Sequence, residues 1–268
     1  MIRIHIFYSA CLVCVIGQAS ELVRLSARDP EALSAIAVGT NLAANASMEE
    51  GATKPVRWSW HGWNKSNVTG KWEQSESHAG QRSLAQIHEG GDGYSVWFSD
   101  KALGITGEVF LIGVWIKTIG EGVGGARLED RGKAVSAGPL IQTDGRWQYI
   151  ACAALTEGNA LGHVAFGQKD FKGQTFQDEV LISPGSFDSL IENEMRFVER
   201  LSEDMEKTEK GEALAAVRLK LQDFKKRQAR LAPLSAGKSI QWRNEAGALL
   251  KEISRLRENL EDLRDKAP

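Results

Sequence analysis

Between Asn41 and Ser183 the apolar positions come in short runs, many alternating with polar ones and split by glycine-rich turns. A period of two marks a half-buried β-strand. It predicts strands at Leu42–Met48, Val56–His61, Lys71–Gln74, Ser83–His88, Tyr94–Ser99, Glu108–Thr118, Gly125–Glu129, Trp147–Ala153, Gly162–Gly167 and Phe176–Ile182. The run Val109–Lys117, VFLIGVWIK, is nearly continuously apolar and predicts a central strand covered on both faces. Roughly ten short strands in about 140 residues predict a sandwich of two sheets.

The pattern changes at Pro184-Gly185. Apolar residues now recur three and four apart, with Glu, Lys and Arg between them. This spacing predicts helices over Ser186–Lys207, Glu212–Leu231 and Ile240–Leu263, broken at Lys210-Gly211 and at 232–237. Short connections return a chain antiparallel, so the expectation for 186–268 is an antiparallel α-helical bundle or coiled-coil arm. A bundle buries its stripes internally, with Trp242 as a core anchor. An arm exposes a seam for a homo-oligomer or a protein partner.

At the N-terminus Arg3 precedes a mostly apolar run from Ile4 to Ile16, and Gly17-Gln18-Ala19 supplies small residues at a cleavage site. Residues 1–19 therefore read as a signal peptide, and the chain as secreted or periplasmic. The run is short for a membrane-spanning helix. Cys14 raises a lipoprotein reading, but the small residue expected directly before the cysteine is missing. Residues 20–40 form a lead-in in which Ala32–Val38 fits a short helix or an edge strand. After cleavage Cys152 stands alone, so stability rests on apolar burial rather than an internal disulfide.

Composition and charge remove some classes of function. At 268 residues the chain has room for one large or two small domains, and a 42% hydrophobic share is ordinary for a folded protein. The net charge of −2, without a long basic stripe, gives no footprint for nucleic acid. His61, His78, His88 and His163 are scattered without metal-ligand spacing. Nucleophile-elbow, phosphate-loop and zinc-protease motifs are missing. Glu73, Glu76, Glu89, Asp92 and Asp100 offer carboxylates, but nothing in the sequence pairs them for glycoside hydrolysis.

The densest chemistry lies in Asn41–Trp63, NLAANASMEEGATKPVRWSWHGW. Its opening Asn41–Gly51 resembles the N-L-x-x-N-G-S-F-E-x-G start of carbohydrate-binding modules of the cellulose- and xylan-binding jelly-roll type, families four, nine and sixteen, with a galactose-binding-like fold. Further landmarks follow in order: Pro55-Val56-Arg57-Trp58, His78–Leu84, Val114–Thr118, Ala126–Glu129, Thr143–Trp147 and Phe176–Val180. Ala46, Met48 and Gln177-Asp178-Glu179 depart from the pattern, and the helical tail lies outside it. The resemblance implies an all-β jelly-roll sandwich over 41–183, a polysaccharide or glycan partner and no catalysis. It also implies a structural calcium where first and last strands meet, at Glu49, Glu50, Asp178 and Glu179.

Sugar recognition needs a flat aromatic surface for the C–H face of a pyranose and polar groups for its hydroxyls. Trp60, Trp63, Tyr94 and Trp97 are candidates for stacking; Arg57, Gln86, His88 and Gln148 are candidates for hydrogen bonding. A core or incidental surface role is open for each. Trp58, Trp115 and Trp147 are expected in the core. Two other readings stand beside glycan binding. One is a cell-envelope structural protein assembling through its helices; the other is a hydrolase or lyase on the same sandwich.

Overall fold

The computed structural model describes residues 22–24, 37, 40–63, 66–100, 103–106, 109–125, 127–130, 133–137, 141–155, 159–169, 172–206, 211–233 and 240–265. The expected signal peptide and most of the lead-in lie outside these residues. Twelve strands are described: β1 (Leu22–Arg24), β2 (Trp58–Trp63), β3 (Val68–Glu73), β4 (Ser83–Glu89), β5 (Tyr94–Ser99), β6 (Leu103–Thr106), β7 (Val109–Gly120), β8 (Arg127–Asp130), β9 (Lys133–Ala137), β10 (Gln148–Leu155), β11 (Asn159–Lys169) and β12 (Lys172–Gly185). They form two antiparallel sheets. Sheet 1 has the order β1-β10-β7-β12-β4-β3; sheet 2 has the order β2-β5-β11-β8-β9, with β6 also pairing β11.

The sheets pack face to face. Leu84, Ile112, Val114, Ile116, Val180 and Ile182 of sheet 1 meet Trp58, Trp97 and Phe166 of sheet 2 in one buried cluster. The rings of Trp58 and Phe166 stack at 5.4 Å. Strand β7 is central, as its apolar run predicts, and alternate residues serve two cores. Ile112, Val114 and Ile116 point between the sheets, whereas Leu111 joins a second cluster on the outer face.

That second cluster is supplied by three helices: α1 (Phe187–Glu206), α2 (Gly211–Leu231) and α3 (Ile240–Asp265). Their apolar stripes, with Trp242 2% exposed, pack together with Leu111, Tyr149 and Ala151. Trp115 and Leu181 pack at the margin. Lys225–Glu199 links α2 to α1, Arg227–Glu252 links α2 to α3, and the buried pair Arg257–Glu194 at 3.0 Å links α3 to α1. The helices thus form a third layer on sheet 1, which accounts for the all-apolar reading of β7.

One expectation needs correction. The predicted strand at Leu42–Met48 is a series of turns. Asn45 and Met48 take positive φ of 51° and 60°, which asparagine tolerates because its short amide bonds locally. The Asn45 amide accepts from Glu50 N at 2.9 Å and donates to Glu50 O and Val56 O, while its own carbonyl accepts from Trp58 Nε1. Its side chain is thereby engaged by the fold. Asn41 stitches the segment to β12, donating to Val180 O and accepting from Ile182 N. Of Ala32–Val38, left open as helix or strand, only Ala37 is among the described residues, where it bridges Gly185. Earlier in the lead-in β1 pairs with β10 at the edge of sheet 1.

Candidate functional site

The alternation of β2 divides its aromatics. Trp58 is 3% exposed and in the core. Trp60 points the same way and is half-buried. Its indole fills a slot left by two glycines: a Cβ on Gly62 or Gly70 would come within 2.5 or 2.2 Å of the ring. Trp60 is therefore a wedge between sheet edges rather than a stacking surface. Trp97 is also core, 5% exposed, with its Nε1 donating to Ala85 O across the sandwich at 3.0 Å.

Gln86 and His88, candidates for sugar hydrogen bonds, are buried too. Gln86 Nε2 donates to Phe166 O at 2.9 Å and to Ser95 Oγ at 3.0 Å; His88 Nε2 lies 2.7 Å from the same hydroxyl. Gln177 Nε2 donates to Gln86 Oε1. These side chains make a polar seam between the sheets, and buried polar groups persist where partners satisfy them. Gln148 starts β10 in sheet 1, away from the other candidates.

The opposite face of β2 and β5 carries the remaining candidates. The register sets Trp63 opposite Tyr94, His61 opposite Val96 and Ser59 opposite Phe98. Trp63 is 54% exposed, with its ring centroid 4.9 Å from Tyr94. His61 lies 6.3 Å from Trp63 and 5.6 Å from Phe98, edge to face with the latter. Val96, on the same face, is fully buried. On β11 the register places Gly167 beside Val96 and Ala165 beside Phe98. At the far end Arg57 pairs with Asp100 at 3.3 Å, both well exposed. The result is a platform of four rings on the outer face of sheet 2, closed at one end by an ion pair. Sheet 1 offers no equivalent along β7 and β10, where helices cover its outer face. Sequence reasoning missed His61 and Phe98. The signal was the phase of the strand, since His61 shares a face with Trp63, and Phe98 with Tyr94.

The carboxylates expected to hold calcium serve a loop instead. Glu49 Oε1 accepts from Gln81 N and Arg82 N, each at 2.8 Å. Asp178 Oδ2 accepts from His78 N at 2.8 Å and Ala79 N at 3.2 Å, and its Oδ1 accepts from Glu179 N. Glu179, at φ 47° in the bulge of β12, pairs with His78 Nδ1. Glu50 is exposed, its backbone turned by Asn45. The His78 ring stacks on Trp115 at 3.7 Å and 13°. Oxygens facing N–H donors do not fit a calcium cage, which needs six to eight oxygen ligands. Among the described residues no group of three or more His, Cys, Asp or Glu is placed to hold a metal. Burial pushes the Asp178 carboxyl up to about 6, against the three N–H groups that favour its charge.

No family model matches the chain, and no curated protein matches it. Solved structures do. The enzymatically active domain of bacteriophage CBA120 tailspike protein 4 is 16% identical, over 53% of this chain and 21% of that one, with a TM-score of 0.41. The chain thus spans about a fifth of the tailspike domain's length. A family 61 carbohydrate-binding module in complex with β-1,4-galactotriose is 18% identical over 55% of this chain and 99% of its own, with a TM-score of 0.40. The CBM22-1 xylan-binding domain of Paenibacillus barcinonensis Xyn10C is 18% identical over 52% and 92%, with a TM-score of 0.38. At TM-scores below 0.5 these likenesses assign no ligand to this chain.

Proposed function

We propose that this chain is a secreted, non-catalytic glycan-binding protein that holds its sugar on the outer face of sheet 2. The fold would be a jelly roll of the type to which families four, nine and sixteen belong. An antiparallel helical bundle docked on sheet 1 would take the place of a free arm. The observation that carries the reading is Trp63, half exposed beside Tyr94 on the outer face of sheet 2. A pyranose presents C–H groups on one face and hydroxyls at its edge. The Trp63 indole covers the first, and the tilted Tyr94 ring keeps the sugar from sliding along β5. The His61 imidazole beside Trp63 would bond a sugar hydroxyl, and Arg57–Asp100 would offer donors and acceptors to the next sugar unit. The rings are held by strand pairing, so little order is lost when a ligand binds.

Affinity electrophoresis of the full chain through β-glucan, xylan, mannan and galactan gels tests this. The expected result is retardation in at least one gel, weakened about tenfold or more by Trp63→Ala with the circular dichroism spectrum unchanged. Migration unaltered by every polysaccharide, or full retardation of the Trp63→Ala chain, would overturn it.

A further inference from the structure

The strand that carries half of the platform is tied down from behind. Along β5 the outward residues Tyr94, Val96 and Phe98 alternate with the inward residues Ser95 and Trp97. Both inward side chains reach strand β4 of sheet 1. Trp97 Nε1 donates to Ala85 O at 3.0 Å. Ser95 Oγ accepts from Gln86 Nε2 at 3.0 Å and lies 2.7 Å from His88 Nε2. Gln86 Nε2 also donates to Phe166 O of β11 at 2.9 Å. One amide nitrogen thus holds two neighbouring strands of sheet 2. Its direction is set from the other side, where Gln86 Oε1 accepts from Gln177 Nε2 of β12 at 3.1 Å. Gln86, Ser95 and Gln177 are each fully buried. An apolar side chain of the same size would leave no group in need of a partner. The engaged amide instead specifies one arrangement of the strands it joins.

We propose that Gln86 is a positioning residue for glycan binding: acting through Ser95 and Phe166, it fixes the pleat of β5 beneath Tyr94, and with it the angle at which Tyr94 meets Trp63. This rests on the platform reading. Ser95 sits between Tyr94 and Val96, so the hold on its hydroxyl from sheet 1 sets how those two side chains stand on the opposite face. Trp63 takes no part in the seam and reaches Tyr94 from β2, the edge strand beside β5. A change in the pleat at Ser95 therefore re-aims Tyr94 but not Trp63, and alters the 4.9 Å and 45° between their rings. Contact residues of a binding site serve it when supporting side chains hold them to within about 0.5 Å, and Gln86 supplies that support from inside the sandwich.

Three variants of the full chain test this. Gln86→Met keeps the length of the side chain and removes its donors and acceptor. Ser95→Ala cuts the side-chain tie between Gln86 and β5 alone. Leu249→Ala opens a cavity in the helical core and lowers stability without touching the seam. Nuclear magnetic resonance contacts between the Trp63 and Tyr94 rings, read without sugar, report the ring geometry. Retardation in the polysaccharide gel that slows the wild-type chain reports binding. In Gln86→Met the ring contacts should weaken and retardation should fall about tenfold. Ser95→Ala should change both in the same direction. Leu249→Ala, at a temperature where every chain is folded, should keep both at the wild-type level. Should Gln86→Met fail to fold, Ser95→Ala carries the test by itself. Wild-type contacts and retardation in either folded seam variant would overturn the inference. So would equal losses in Leu249→Ala, since lowered stability alone would then explain them. The ring contacts need no sugar, so the two readings fail separately. A wild-type chain slowed by no gel overturns the platform, whereas unchanged contacts in the seam variants overturn the role of Gln86.

Discussion

The carboxyl group of Asp178 is fully buried at the bulge of β12, with His78 N, Ala79 N and Glu179 N pointing at it. Burial lifts it from the ordinary 3.8 to about 6, the N–H groups pull it down, and the nearby Glu179 charge pushes it up. The folded chain therefore holds this proton more tightly than the unfolded chain does. The stability that the group contributes is complete below the unfolded value of 3.8 and is lost as pH rises through about 6. An asparagine in its place would have no proton to hold and would set an amide N–H against the Glu179 N–H. Asp178→Asn should therefore melt well below wild type at about pH 4, with the gap narrowing by about pH 7. Melting curves of the two proteins across that range give the answer, and a gap that is constant or widens with pH would refute the account. Only part of this was visible in the sequence. The family resemblance implied that Glu49, Glu50, Asp178 and Glu179 gather where the ends of the β region meet. That backbone N–H groups of residues 78–82 would fill their oxygens was not, because it depends on how one loop returns.

At the scale of elements, β2 and β5 show what a period of two can and cannot reveal. Alternation located both strands to within a few residues, and it separates Trp58 and Trp60 from Trp63. The direction of each set depends on pairing with β3, β5 and β11, which one strand's pattern does not contain. Trp97, Gln86 and His88 were therefore equally plausible inside and outside. The short strands β6 and β9 escaped because four or five residues carry too few alternations to register. Trp60 shows how two strands fix one side chain. Gly70 of β3 and Gly62 of β2 together leave the volume that its indole occupies. Gly70→Ala would drive a methyl group to within 2.2 Å of that ring. Overpacking of this kind costs about 1–3 kcal/mol. The melting temperature should fall by several degrees. Trp60→Phe made together with Gly70→Ala should recover part of that loss, since the smaller ring vacates the contact. A fully additive double mutant would show that the two residues do not share the slot.

At the scale of the whole molecule the described residues stack in three layers. Sheet 1 lies in the middle, with its outer apolar residues Leu111, Tyr149 and Ala151 built into the helical core. Sheet 2 keeps its outer face for Trp63, Tyr94, His61 and Phe98. The sequence announced both a β region and a helical region, and the sharp change of period at Pro184 made each legible by itself. Their union was harder to read, because an apolar run such as β7 is satisfied by any cover, and only the fold shows that α1–α3 supply it. The union has a direct consequence. A chain ending at Gly185 would uncover Leu111, Tyr149, Ala151 and the margins of Trp115 and Leu181 as one patch on sheet 1. A contiguous apolar surface of that kind drives aggregation. Such a chain should bind a hydrophobic dye strongly and lose a single cooperative melt, even though the platform residues are all present. Restoring α1–α3 as part of the same chain should abolish the dye binding. A soluble 1–185 chain that melts cooperatively and remains dark with the dye would show that the sandwich stands alone and that the helices are a separate unit.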